Sequence, residues 1–309
     1  MALNTDIAII GAGAAGLSAA AAAAAQGLQV LVIERMGAGG QVMNVENIAN
    51  WPGQPDGISG FELGPLLQEQ AEEAGAQFLL DTVLSVTAAD GGVRLQCEGE
   101  TVQARALIVA AGSARRKLEV PGEEQLEGRG VSHCASCDGP LFRGQAVCVV
   151  GGGDSAFGEA AVLATHAAHV TLVFREAQPH AQAYLQAALQ GLPHVTLLPG
   201  AEVLAIEGTP NVSALRVRVN GEERGIPCEG VFVYAGLRAD SGFLAGTVAR
   251  DEEGRIRTDD QFRTSLPGVF AAGDIRSGAG RLLADAARDG IAAAQRAARH
   301  LNERQETRA

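Results

Sequence analysis

A chain of 309 residues is long for one hydrophobic core and points to two domains. With 47% hydrophobic and only 19% charged residues, it has the make-up of an α/β protein, not of a disordered or coiled one. Its 36 acidic against 24 basic residues, a net charge of −12, repel phosphate backbones, which excludes nucleic acid and favours a neutral or basic protein partner.

Asp6-Ile-Ala-Ile-Ile10 reads as an apolar strand, Gly11-Ala-Gly-Ala-Ala-Gly16 as a tight glycine turn, and Leu17 to Gln26 as an alanine-rich helix. The alanine run imitates a leader or membrane segment. No basic stretch precedes it, and Ser18 and Gln26 interrupt it, so a buried helix is expected and no membrane association. Val30-Leu-Val-Ile33 is a second strand, ending in Glu34. Strand, glycine turn, helix, strand and acid form the dinucleotide fingerprint. Glycines let backbone and helix N-terminus approach a pyrophosphate, and the acid holds a ribose.

Gly39-Gly40-Gln41 and Asn50-Trp51-Pro52-Gly53 follow as loops, with Trp51 expected to pack, and then a helix from Phe61 to about Gly75. One strand is expected over 78–87, then the turn Asp90-Gly91-Gly92, a strand over 93–97, and a wholly apolar run over 106–111 suited to a buried parallel strand.

Cys134-Ala135-Ser136-Cys137-Asp138 places two thiols around two small residues with a carboxylate next door. This spacing closes a redox disulfide and lowers one thiol's pKa, and Asp138 can exchange a proton with the sulfurs. The other reading, half of a zinc site, needs two more ligands, and Cys97, Cys148 and Cys228 stand alone, so no metal is expected. Five cysteines with one close pair suit the reducing cytoplasm.

The pattern then repeats: a strand over 146–150, Gly151-Gly-Gly-Asp-Ser-Ala156, a helix to about His166 and a strand over 170–174. A hairpin around Asn220-Gly221 precedes the apolar run 230–235, so the chain holds two copies of one nucleotide-binding unit. Laying Gly11 on Gly151 sets Glu34 on Phe174, which accepts no hydrogen bond. Arg175 beside it suits the 2′-phosphate of NADP, and Glu176 opposes that phosphate. NADPH is the expected donor, with NADH or neither as alternatives. The chain closes with a buried strand over 266–272, Gly273 and Asp274, a helix over 281–301 and a polar tail expected to fray.

These motifs together resemble the low-molecular-weight thioredoxin reductases: GAGAAG with Glu34, GGQ at 39–41, NWPG at 50–53, CASCDG at 134–139, GGGDSA at 151–156 and GVFAAGD at 268–274. The resemblance implies an α/β fold of two Rossmann-like, FAD- and NAD(P)-binding three-layer ββα domains, the second inserted in the first. FAD would occupy 1–114 with 242–309, and the nicotinamide cofactor and disulfide 115–241. It assigns Gly11, Gly13, Ala14, Ala15, Gly16, Glu34 and Arg35 of the first fingerprint to FAD, with Gly40, Gln41 and Asn50 of the following loops. Val83, Ala111 and Gly112, and near the end Gly273, Asp274, Arg281, Leu282 and Leu283, complete that set. The nicotinamide would meet Gly153, Asp154, Ser155, Ala156, Arg175 and Glu176. Cys137 would face the flavin, Cys134 would attack the substrate disulfide, and Asp138 would be the acid/base. The resemblance further implies a thioredoxin-like dithiol protein or small disulfide as substrate, a homodimer, and rotation of the inserted domain about hinges near 113–117 and 238–242.

This chain departs from the family at Gly158, at Phe174-Arg175-Glu176 and at Arg281-Leu282, where two consecutive glutamates, a histidine with two arginines, and an arginine-glutamine pair are usual. These changes bear on the electron donor. They leave two alternatives standing: a dithiol oxidase or a reductase fed by another carrier, and a non-catalytic flavin-binding redox sensor.

Overall fold

The computed structural model describes residues 2–280 and 282–306. They fall into two compact units: unit 1 is the chain up to Ala114 and from Arg238 onward, and unit 2 is Arg115–Leu237.

Unit 1 begins with β1 (Leu3–Ile10), α1 (Ala14–Ala24) and β2 (Val30–Glu34), followed by α2 (Gly60–Glu73) and β3 (Gln77–Leu80). The expected strand over 78–87 is two strands. It breaks at Asp81, whose carboxylate accepts N–H bonds from Thr82, Gly99 and Glu100, and resumes as β4 (Val83–Ala89). Next come β5 (Gly92–Cys97) and β6 (Thr101–Val109), which starts earlier than its apolar half suggested because the polar half pairs with β5. β7 (Ser113–Arg115) leads out of the unit.

Unit 2 opens with β8 (Val131–Ser132) and the single turn α3 (Ala135–Asp138), then β9 (Ala146–Val150), α4 (Asp154–Ala164) and β10 (His169–Val173). α5 (Ala183–Leu189), β11 (Val195–Leu198) and β12 (Ala201–Gly208) fill a stretch whose short polar-flanked runs left no clear reading in the sequence. The hairpin β13 (Val212–Val219) and β14 (Glu222–Pro227) turns at Asn220-Gly221, with φ 52° and 86°, the left-handed pair such a two-residue turn requires. β15 (Gly230–Val233) and β16 (Leu237–Ala239) follow. The ends of unit 2 meet, the Arg116 N–H donating to the Gly236 carbonyl at 2.9 Å.

The chain re-enters unit 1 through β17 (Val269–Ala271) and α6 (Leu283–Glu306). α6 continues past Leu301 into the expected tail, because a surface helix carries the same polar residues as a tail does.

Both units are three layers. In unit 1 the strand order is β3-β2-β1-β6-β5-β4, with β1 parallel to β2 and β6. β6 forks: its first half pairs antiparallel with β5, and its second half pairs parallel with β17. Alternate residues of a strand face opposite sides, so Ile7 and Ile9 of β1 pack on α1, α2 and α6, while Ala8 and Ile10 pack on β4 and β5. Unit 2 repeats this. Its parallel sheet runs β11-β10-β9-β15-β8, with Val147 and Val149 toward α4 and Cys148 and Val150 toward the antiparallel β12-β13-β14 layer.

Candidate active site

In unit 1 the glycine turn after β1 is the point on which the other loops converge. Gly11 holds φ 99°, and a Cβ there would strike the Ala110 backbone. Gly40 backs onto Gly13 so closely that a Cβ on it would lie 3.2 Å from the Gly13 Cα, and Gly39 bridges Gly13. Gly273, φ 72°, faces Ala15. Gly13 caps α1 without any side-chain bond, and the first turn, Ala14, Ala15 and Gly16, is buried. Glu34 accepts N–H bonds from Ala12 at 2.8 Å and Met36 at 3.0 Å, fixing its carboxylate at the turn. Ala111 and Gly112 leave β6 half-buried, and Gln41 donates to the Ser113 carbonyl at 2.9 Å.

The remaining residues expected there have their own surroundings. Arg35 pairs with Asp240 at 2.9 Å; Val83 is buried at the start of β4; Asp274 and Leu283 are half-buried. Asn50 and Leu282 are exposed, and Arg281 lies outside the described residues. Two supports were missed in the sequence. Gly290 of α6 packs on α1 so tightly that a Cβ would collide with the Ala15 carbonyl, which a glycine inside a helical pattern can announce. Fully buried Asp289 pairs with Arg276 at 2.6 Å and Arg288 at 3.2 Å, tying the segment after Asp274 to α6.

This cluster fits a flavin dinucleotide. The uncapped amides of α1 suit a pyrophosphate, Glu34 is fixed where a ribose acid belongs, and a Cβ on Gly13 or Gly112 would extend into open space. The buried Ser113 hydroxyl has no hydrogen-bond partner among the described residues.

In unit 2, Cys134 and Cys137 form a disulfide with Cα atoms 5.3 Å apart, which disposes of the half zinc site. Cys134 is the N-cap of α3. Its sulfur accepts the Cys137 N–H at 3.2 Å and its carbonyl accepts the Asp138 N–H at 3.0 Å. Cys134 is half-buried and Cys137 exposed. Asp138 accepts a 2.6 Å bond from the Ser132 hydroxyl, which itself accepts the Cys134 N–H at 3.2 Å. One serine thus joins the carboxylate to the backbone of the redox pair.

A second clamp holds the other side. The Ala135 N–H is shared between Glu159 Oε2 at 2.9 Å and Tyr234 Oη at 3.1 Å, and the Tyr234 hydroxyl donates to Glu159 at 3.1 Å. Burial, reinforced by the Glu159 charge, pushes the Tyr234 phenol far above its ordinary pKa, so it remains a donor. His133, next to the redox pair, lies 3.2 Å from the Val233 carbonyl and 3.4 Å from Glu127.

The remaining cysteines, Cys97, Cys148 and Cys228, are free and buried. Burial pushes Cys97 up to about 11, and a hydrogen bond from the Cys148 thiol to Cys228, together with burial, raises Cys148 well above its usual value. Among the described residues no cluster of His, Cys, Asp and Glu could hold a metal, and no helix is long and apolar enough to cross a membrane.

The second glycine turn, between β9 and α4, opens at the carboxyl edge of the sheet, where β8 also delivers the disulfide. Gly153 caps α4 without a side-chain bond, Ala156 is buried and Ser155 exposed. Asp154 is turned to Gln182, accepting its N–H at 2.8 Å and its Nε2–H at 2.5 Å. Phe174 is 3% exposed and packs on Phe157, with ring centroids 6.1 Å apart, while Arg175 and Glu176 are exposed.

Two dinucleotide-type units, one bearing a redox disulfide, define an FAD-dependent disulfide oxidoreductase. Comparison with known proteins agrees. The family model described as pyridine nucleotide-disulphide oxidoreductase matches residues 5–300. The thioredoxin reductase of Treponema pallidum is 37% identical over 98% of this chain and 99% of its own, and that of Mycolicibacterium smegmatis is 42% identical over 96% and 97%. The crystal structure of Lactococcus lactis thioredoxin reductase, in its FR conformation, is 34% identical, covers 97% of this chain and 99% of its own, and superposes with a TM-score of 0.94. This chain belongs to the low-molecular-weight thioredoxin reductases.

Proposed function

We propose that the protein reduces the disulfide of a thioredoxin-like dithiol protein or a small disulfide, with a reduced nicotinamide dinucleotide as electron donor. The observation that carries this reading is the placement of the Cys134–Cys137 bridge and an uncapped glycine turn on the same edge of the unit 2 sheet. FAD on unit 1 supplies the two-electron relay between the nicotinamide and the disulfide.

Once the bridge is opened, the Cys137 N–H that now points at the Cys134 sulfur stabilises its thiolate. Cys134 attacks the substrate disulfide, forming a mixed disulfide and expelling one substrate thiolate, to which Asp138 gives a proton. Cys137 then displaces Cys134's partner sulfur, which restores the Cys134–Cys137 bridge and releases the substrate as a dithiol. Ser132 holds Asp138 through both steps, and Glu159 with Tyr234 holds the first amide of α3. Nicotinamide and disulfide claim the same edge, so unit 2 presents them in turn by rotating about residues 113–117 and 238–242.

Support for the substrate class comes from the relatives named thioredoxin reductase, among them a bifunctional thioredoxin reductase/thioredoxin of Mycobacterium leprae, 39% identical over 96% of this chain. A homodimer and a cytoplasmic setting belong to the same proposal. The test is anaerobic mixing of the yellow protein with NADH or NADPH while following flavin absorbance. Rapid bleaching by either supports the reading. No bleaching, with dithiothreitol still able to reduce the flavin, would refute it and turn attention to another carrier or to dithiol oxidation.

A further inference from the structure

The glycine turn of unit 2 lacks an acid at the end of its second strand, yet a carboxylate reaches that turn from two residues further on. Glu176 leans back over Gly152 so that its Oε2 lies 3.2 Å from the place a Cβ would take on that glycine. Gly152 is the counterpart of Ala12, whose N–H is held by Glu34 in unit 1. The two carboxylates therefore attend the same residue of the same turn, one from the strand end and one from the loop after it.

The loop is pinned there. The His180 N–H donates to the Gly152 carbonyl at 2.7 Å, His180 Nε2 lies 3.7 Å from Glu176 Oε1, and Gln182 is bonded to Asp154. Phe174 is committed to the core and offers the turn nothing polar. Arg175 is exposed on the rim, whereas the Glu176 carboxylate stands against the glycine.

A carboxylate at this point accepts bonds from the vicinal hydroxyls of an adenosine ribose. A 2′-phosphate would bring about two negative charges to the same place. We propose that Glu176 is the residue that selects the electron donor, and that unit 2 takes NADH in preference to NADPH. This proposal runs against the expectation of NADPH drawn from Arg175. This proposal rests on the reading that unit 2 binds a reduced nicotinamide dinucleotide.

Calorimetric titration of the purified, flavin-loaded protein with adenosine 5′-monophosphate and with adenosine 2′,5′-bisphosphate reads the preference without any redox step. The monophosphate is expected to bind at least about tenfold more tightly, and Glu176→Gln, which removes the charge and keeps the shape, is expected to erase most of that ratio. A tighter bisphosphate, or a ratio unmoved by Glu176→Gln, overturns the assignment. Anaerobic flavin bleaching separates the two levels of the argument. Faster bleaching by NADPH than by NADH leaves the donor reading standing and refutes the role of Glu176. Failure of both fragments to bind, with no bleaching by either dinucleotide, removes the donor reading and the proposal with it.

Discussion

Units 1 and 2 build the same parallel sheet but complete its edge from opposite directions in the chain. In unit 1 the edge strand β17 arrives late and ends at Gly273-Asp274; in unit 2 the edge strand β8 arrives first and ends at the disulfide. The registers are equivalent. Ile10 lies level with Val109, which faces Ala271, and Val150 lies level with Val233, which faces His133 when the pairing of Phe232 with Ser132 is extended by one residue. Cys134 thus occupies in unit 2 the place that Ala272, next to Gly273, holds in unit 1. One scaffold serves two chemistries because different residues stand just past equivalent strand ends.

The sharpest way to break this comparison is Cys134→Ser. Disulfide reduction is expected to fall at least about a thousandfold while the flavin spectrum stays intact, since unit 1 is untouched. Retained turnover would mean that the edge of unit 2 is not where the chemistry happens. The converse variant, Asp289→Ala, leaves Arg276 largely buried without its partner and is expected to cost about 3–5 kcal/mol in unit 1. Thermal melting should show flavin release at a lower temperature, and release unchanged from the parent would contradict it.

Tyr234→Phe removes the phenol bond to Glu159 and leaves the clamp on α3 with one arm. A loss of about 1.5–3 kcal/mol in unit 2 is expected, together with slower disulfide exchange, and flavin binding should be unaffected. Denaturant unfolding followed beside flavin fluorescence checks it. The smallest effect concerns His300 of α6, whose buried Nε2 has no hydrogen-bond partner among the described residues. Burial, with the nearby Arg304 charge, lowers its pKa, so below the ordinary histidine range the unfolded chain binds the proton more readily than the folded one. Stability is therefore complete near pH 7 and declines as the pH falls. The melting temperature should drop slightly more between pH 7 and 5.5 in the parent than in His300→Gln.

The turns Gly11–Gly16 and Gly151–Ala156, the strands before them and the redox pair were legible in the sequence because each is a local pattern with a local cause. The same holds for Asn220-Gly221. What escaped were the supports that cross from one element to another. Asp138 and Ser132 are six residues apart with a strand end between them, Tyr234 and Glu159 are far apart in the chain, and Asp289 meets Arg276 only once α6 has docked. Asp81 breaks a run of strand-forming residues because of amides beyond the next hairpin, which no window around it contains. Glu176 could be read as a charge in the right neighbourhood, but not as one folded back onto Gly152.

The meeting of Arg116 with Gly236 has a consequence for the ancestry of the chain. A module whose two ends touch can be spliced into a host loop, or lifted out of it, without rerouting the host, and its closure asks little extra entropy however long it is. Unit 2 is built as such a cassette. Duplication of one nucleotide-binding ancestor, followed by insertion of the copy into a surface loop of the original, would need no new fold, only a cysteine pair past one strand end.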